Sequence, residues 1–238
     1  MIKRIKNALG LGNPDPREGI TIVINAETLE RRVALLEDGV LEEYSVERDG
    51  DDNIVGGIFK GRVKNIEQGL KAMFVDIGLE KNAFLHFWDA IPAALDGGLG
   101  EVRRNGKPAK KAKKISSKDI PSIYPVGSEI MIQVSKGAFG NKGPRVTTNV
   151  SLAGRYLVLM PYSEQFGISR RIDDPKERQR LRKIMQRLSV PDGMGIIMRT
   201  VATGTRARHF VRDLAMLLEQ WQSVEDKRDS GPAPVACF

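Results

Sequence analysis

Apolar and polar positions alternate most regularly between residues 58 and 63, where Ile58, Lys60 and Arg62 take turns with Phe59, Gly61 and Val63. A period of two marks a strand with one buried face. Gln68, Gly69 and Leu70 supply turn chemistry, 72–77 is a second apolar run ended by Gly78, and 83–88 is a third. Upstream, 20–25 and 32–36 are strand-like, Asp38 and Gly39 make a turn, and a third run follows near 41–46. A lone meander of that size has little core and needs something to pack on. After an alternating strand at 129–135 the pattern becomes strand, helix, strand, helix. The first strand is 156–160, extended or paired by 167–171, and 195–201 is a buried strand. Asp173, Asp174 and Pro175 start a helix with an acidic N-cap and a proline in the first turn, and 177–188 continues it. Phe210, Leu214, Leu217, Leu218 and Trp221 recur at helical spacing and predict a long amphipathic helix over 207–224.

Together these elements predict an α+β chain that is mostly β. Residues 1–18 are read as a flexible basic tail ending in a breaker-rich linker, and 19–52 as an incomplete β-meander. Residues 53–150 are read as a five-stranded barrel of the OB type with an insertion at about 91–122, and 151–222 as a small α/β domain. Two barrel strands place aromatic side chains beside basic ones, which is the chemistry single-stranded nucleic acid needs. OB-type barrels bind RNA on the face of their second and third strands. Phe74 belongs to the second and Phe84 to the third. A base can stack on either ring, at roughly 1–3 kcal/mol per base. The plainer alternative is that both rings fill the barrel, as side chains do in small barrels.

Charge and composition narrow the class. The 238 residues carry a formal net charge of +8, which favours a polyanionic partner, and 41% hydrophobic content is enough for ordinary cores. Cys237 is the only cysteine, which excludes a disulfide within the chain; with only His86 and His209 beside it, a structural zinc site is excluded too. No apolar run approaches the ~20 residues of a membrane span, and the basic start lacks a signal peptide's apolar core. The expectation is a cytoplasmic protein with no membrane partner and no small-molecule substrate.

Two basic features attach to the barrel. Arg103, Arg104, Lys107, Lys110, Lys111, Lys113, Lys114 and Lys118 lie in the insertion with no acidic residue between Glu101 and Asp119. Such a run repels itself and is expected to be mobile, either as a solvated loop or as a lure for RNA phosphates without sequence preference. Gly140, Asn141 and Gly143 make a tight turn that brings backbone N–H groups and Lys142 near phosphate oxygens. The alternative is a plain hairpin with a basic tip.

The barrel segments Lys60-Gly61-Arg62-Val63, Phe74-Val75-Asp76-Ile77-Gly78 and Ala83-Phe84-Leu85 resemble the S1 RNA-binding domain of the ribonuclease E/G family. The runs GNKGPRVTTNVSLAGRYLVLMPYSEQFGISRRI and LSVPDGMGIIMRTVATG, and the WQSV region after the last helix, track that family in order and spacing over about residues 19–236. The resemblance implies that 151–222 is a 5′ sensor, which holds the 5′-terminal monophosphate of an RNA and favours cleavage further along the strand. It implicates Arg199 and Thr200 as direct phosphate ligands, Gly154 and Val158 as the adjoining wall against the terminal nucleotide, and Arg170 as a supporting basic position. Phe74, Phe84 and Lys142 are the expected RNA-binding residues of the barrel.

That role is physically reasonable from the residues themselves. Arg199 and Thr200 end an apolar strand, so they are presented rigidly. An arginine fork can hold two phosphate oxygens while an adjacent hydroxyl donates to a third. A pocket closed around one phosphate can reject a triphosphate by steric exclusion. The alternative is that Arg199 pairs with a surface carboxylate. Arg178, Arg180, Arg182, Lys183 and Arg187 read mostly as a solvated helix face, with Arg180 placed to pair with Glu177.

The resemblance also implies what lies elsewhere. The family's nuclease domain holds Mg²⁺ on two aspartates and an asparagine, and zinc on a Cys-Pro-x-Cys motif, and nothing in this chain matches either. Asp51 with Asp52, and Asp173 with Asp174, have ordinary turn and helix-start reasons. No cofactor, metal ligand or catalytic residue is therefore expected in this chain. Residues 19–52 match the N-terminal strands of a split RNase H-like domain, and 223–238 match the start of its returning segment, read as truncated. The family's oligomer contacts fall largely in parts not matched here. The expected function is the RNA-recognition portion of a Mg-dependent endoribonuclease of RNA processing and decay, binding single-stranded RNA with a 5′-monophosphate. Whether the chain is itself an enzyme stays open. The alternative is a stand-alone, non-catalytic S1-type RNA-binding protein, with a recognition subunit acting in trans as a third reading.

Overall fold

The computed structural model describes residues 19–48, 54–91 and 116–238. The expected basic tail, the Asp51–Asp52 pair and residues 92–115 of the insertion lie outside the described residues. The chain divides into two compact units, Met1–Asn53 and Ile54–Phe238.

The first unit is an antiparallel meander of β1 (Ile20–Ala26), β2 (Glu30–Glu37) and β3 (Val40–Arg48). Asp38 and Gly39 both take positive φ and join β2 to β3. Ile20, Ile22 and Ile24 remain more than 60% exposed, as a three-stranded sheet without its own core requires.

The second unit opens with a closed five-stranded barrel of β4 (Ile58–Glu67), β5 (Ala72–Asp76), β6 (Ala83–His86), β7 (Glu129–Lys136) and β8 (Arg145–Thr147). The strands follow the order β4-β5-β6-β8-β7, and β7 pairs back with β4 to close it. Phe59, Val63, Met73, Val75, Ala83, Leu85, Ile130, Ile132, Val134 and Val146 fill the interior. A bulge between Val63 and Asn65 inserts an extra residue into β4, so that Asn65 faces outward and Ile66 packs on the core. The far end of the insertion is folded: Ser116 N–H bonds Asp119, a short helix α1 (Ile120–Ile123) follows, and Ile120 is fully buried in the barrel core. Lys118, one residue of the basic run expected to be mobile, lies in this folded stretch.

Beside the barrel lies a second sheet in the order β11-β12-β10-β9, from β9 (Leu152–Ala153), β10 (Leu157–Met160), β11 (Phe166–Ile168) and β12 (Gly195–Met198). The run at 167–171 was expected to extend or pair with the strand at 156–160. Instead β11 lies parallel to β12. Parallel partners need a long crossover, and α2 (Pro175–Met185) supplies it. The carboxylate of Asp174 caps α2, accepting from the N–H groups of Lys176 and Glu177. The long helix α3 runs from Ala207 to Arg228, past the end expected at 224, and buries Phe210, Leu214, Leu217, Trp221 and Val224. These pack with Leu157, Leu159, Ile168, Leu181, Ile196 and Met198 into a second core, which also takes Ile58 from β4.

After α3 the chain returns to the barrel. β13 (Val235–Ala236) pairs antiparallel with Lys60 and Phe59 of β4. Glu129 accepts from Ala233 N–H at 2.9 Å and receives Arg62 at 3.0 Å, which ties this segment to β4 and β7. That backbone hydrogen bond from Ala233, with Lys60 and Arg62 nearby, holds the Glu129 carboxyl below its ordinary range.

Candidate functional site

On the barrel, β5 and β6 sort their side chains by parity. Met73, Val75, Ala83 and Leu85 point inward, which leaves Phe74, Phe84 and His86 half-buried on the outer face. Phe74 and Phe84 are direct cross-strand partners, with ring centroids 5.9 Å apart in an edge-to-face arrangement. His86 continues the stripe, its ring 6.5 Å from Phe84, and its Nδ1 accepts from Trp88 N–H. Neither phenylalanine belongs to the barrel core.

The turn that carries Lys142 is fastened to the start of β6. Phe84 N–H donates to Pro144 O at 2.7 Å, and Lys81 Nζ donates to Gly140 O at 2.7 Å. A Cβ on Gly143 would lie 2.0 Å from Asn82 O, so only glycine lets the two segments meet this closely. The exposed Lys142 thus stands beside the strand of Phe84. Lys60 and Arg62 do not serve the aromatic stripe as the alternation suggested. Both reach Glu129, at 3.5 and 3.0 Å, and Arg62 also approaches Ala233 O.

In the second sheet, Arg199 and Thr200 follow β12 immediately. An open cleft of about 390 Å³ is lined by Ser169, Arg170, Arg171, Ile197, Met198, Arg199 and Thr200. Arg199 N–H donates to Tyr156 O at 2.9 Å, and its guanidinium Nη1 donates to Gly154 O at 2.5 Å. The arginine is held by a backbone carbonyl, which consumes no charge. Thr200 opens a short 3₁₀ turn, Thr200–Ala202, whose carbonyl accepts from Thr203. Of the expected phosphate-site residues, Arg170, Arg199 and Thr200 share the cleft and Gly154 touches Arg199. Val158 does not line that cleft. It pairs with Ile197 across the sheet and faces a separate cavity of about 580 Å³ against β7, with Ile197 as the wall common to both.

Three supports were not foreseen from the sequence. The carboxylate of Asp213 on α3 accepts from the N–H groups of Arg155, Tyr156 and Leu157 at 3.1, 2.8 and 2.9 Å, fixing the turn that presents Gly154 O. Arg178 was expected on a solvated face. Its guanidinium instead donates to Ser169 O and Ile172 O, bracing the segment of Arg170. Glu177 pairs with Arg180 as expected, at 2.6 Å. The pair also grips the loop after Thr200, with Gly204 N–H donating to Glu177 and Arg180 donating to Thr205 O. The Arg180 guanidinium, aided by Gly204 N–H, holds the Glu177 carboxyl below its ordinary value. No sequence pattern marks long-range contacts of this kind.

Among the described residues no three His, Cys, Asp or Glu side chains gather in one place, and the oxygens of Asp174 are engaged in capping α2.

Comparison with known proteins matches residues 151–237 to the model of the ribonuclease E/G family. The chain is 37% identical to ribonuclease G of Escherichia coli (strain K12) over 207 residues, 87% of this chain and 40% of that protein. It is 34% identical to ribonuclease G of Haemophilus influenzae over 90% of this chain and 42% of the relative. It is 36% identical to ribonuclease E of Escherichia coli (strain K12) over 90% of this chain and 19% of the relative. The chain therefore spans about two-fifths of ribonuclease G and about one-fifth of that ribonuclease E. On these sequence matches this chain belongs to the ribonuclease E/G family.

Proposed function

We propose that this chain is an RNA-recognition portion of a ribonuclease E/G type endoribonuclease, one that holds single-stranded RNA on its barrel and the 5′-monophosphate end in its second sheet. The observation that carries this reading is the cleft in which Arg170, Arg199 and Thr200 come together while a carbonyl, not a carboxylate, anchors Arg199. A guanidinium held that way keeps its full charge for a phosphate, and the threonine hydroxyl beside it adds a donor. The barrel contributes two outward rings and the basic turn of Lys142, a surface suited to unpaired bases and their phosphates. The work of the protein is RNA processing and decay in the cytoplasm. Among the described residues no helix is long and apolar enough to cross a membrane.

Competition binding with three RNAs that differ only in their 5′ end tests the reading. Preference for the 5′-monophosphate over 5′-hydroxyl and 5′-triphosphate RNA is the expected result. Equal affinity for all three, in folded protein, would leave only a stand-alone S1-type RNA binder.

A further inference from the structure

We propose that Arg145 is a further RNA ligand of the barrel, a phosphate-binding guanidinium built into the same cross-strand row as the two rings. The inference rests on the reading of the barrel as an RNA-binding surface. Asn65, Phe74, Phe84 and Arg145 are successive register partners across β4, β5, β6 and β8. The row runs from an amide through two aromatic rings to a cation. Arg145 follows Phe84 after one strand spacing, about 5 Å. A base stacked on Phe84 carries its own phosphate over a comparable distance, toward the guanidinium.

The side chain is prepared for that task. Arg145 Nε and Nη2 both donate to Asp89 Oδ2, at 3.1 and 2.8 Å. Asp89 itself belongs to the 3₁₀ turn that directly follows β6, and its carbonyl accepts from Thr147 Oγ1, Thr148 N–H and Thr148 Oγ1. The guanidinium is thus fixed on one edge, while its Nη1 donors stay outside the pair and its side chain remains 46% exposed. Fixing an arginine before binding removes ordering cost from the complex. An ordinary surface ion pair is worth little to stability, so the buttress has more to give through orientation than through folding energy. Lys81, just before β6, reaches the turn before β8 that carries Lys142, which makes this end of the row the basic one.

The test is fluorescence anisotropy of the full chain with a short 5′-hydroxyl oligouridylate, titrated across a series of salt concentrations. The 5′-hydroxyl keeps the second sheet's cleft out of the measurement. Arg145→Gln is expected to weaken binding about tenfold or more, the scale of a lost charge-assisted hydrogen bond. It should also reduce the slope of log K against log salt by about 0.7, the value of one phosphate contact on a single strand. Arg145→Lys should keep the slope and recover part of the affinity. Asp89→Asn should keep the slope and lose only a few-fold, because the cation survives its buttress. Wild-type affinity and slope in Arg145→Gln would overturn the assignment. So would equal losses in Asp89→Asn and Arg145→Gln, which would give the pair a structural role alone; if Arg145→Gln fails to fold by circular dichroism, loss of the slope term in Arg145→Lys would overturn it as well. Should Phe74→Ala and Phe84→Ala weaken binding while Arg145→Gln does not, only the Arg145 assignment falls. Should none of the three change binding, the barrel reading falls with it.

Discussion

Asp213 and Gly154 meet so closely that no side chain fits between them: a Cβ on Gly154 would lie 2.7 Å from Asp213 Oδ2. The contact matters because Gly154 O anchors the Arg199 guanidinium. Asp213→Ala would orphan the part-buried N–H groups of Tyr156 and Leu157 and leave the exposed one of Arg155 to water, and an unsatisfied buried donor costs about 1–3 kcal/mol. We expect Asp213→Ala and Gly154→Ala both to lower the urea midpoint and to reduce the preference for 5′-monophosphate RNA. A mutant with wild-type preference would uncouple the turn from the proposed phosphate site.

Arg199→Ala should erase the 5′-monophosphate preference, about tenfold to a hundredfold for a charge-assisted pair of about 1.5–3 kcal/mol. Binding of internal RNA should change little. Arg199→Lys should restore part of the preference, since an ammonium lacks the fork that reaches both Gly154 O and a phosphate. Competition between 5′-monophosphate and 5′-hydroxyl RNAs measures all three proteins on one scale.

Phe74→Ala and Phe84→Ala should each weaken single-stranded RNA binding by roughly 1–3 kcal/mol. The rings touch edge to face, so the double mutant should lose less than the sum of the single losses, by about 0.5–1.5 kcal/mol. Strictly additive losses would show that the two rings bind bases independently.

The loop after Thr200 should loosen in acid. Glu177 titrates lower in the folded chain than in the unfolded one, chiefly because Arg180 bonds its carboxylate. Its contribution is therefore complete above the ordinary carboxylate value of about 4.3, and it is lost as pH falls through the folded value. In urea titrations from neutrality down to about pH 3, wild type should be more stable than Glu177→Gln at neutral pH, with the gap closing in acid. A gap independent of pH would mean that the carboxylate's charge plays no part.

Much of the barrel was legible in the chain because a period of two is a local signal. Once Met73, Val75, Ala83 and Leu85 are assigned to the interior, Phe74 and Phe84 must face out. The long helix was likewise plain from its apolar spacing, although its last turn ran beyond the expected end at 224. Arg199 and Thr200 were singled out only through a family resemblance carried by short contiguous runs. What the chain alone did not reveal are contacts between distant residues. Asp213 lies 58 residues from the Arg155 N–H it accepts, Asp89 lies 56 from Arg145, and Arg62 lies 171 from Ala233. Any carboxylate or guanidinium can bond a backbone group or an opposite charge, so residue type carries no address for the partner. The same holds for β11, whose apolar run fits either neighbour: only the crossover through α2 selects β12. Local periodicity decides which residues form strands and which side of each faces the core, whereas closure of the chain on itself decides which of the many charges stand free for a ligand and which are spent in holding the site.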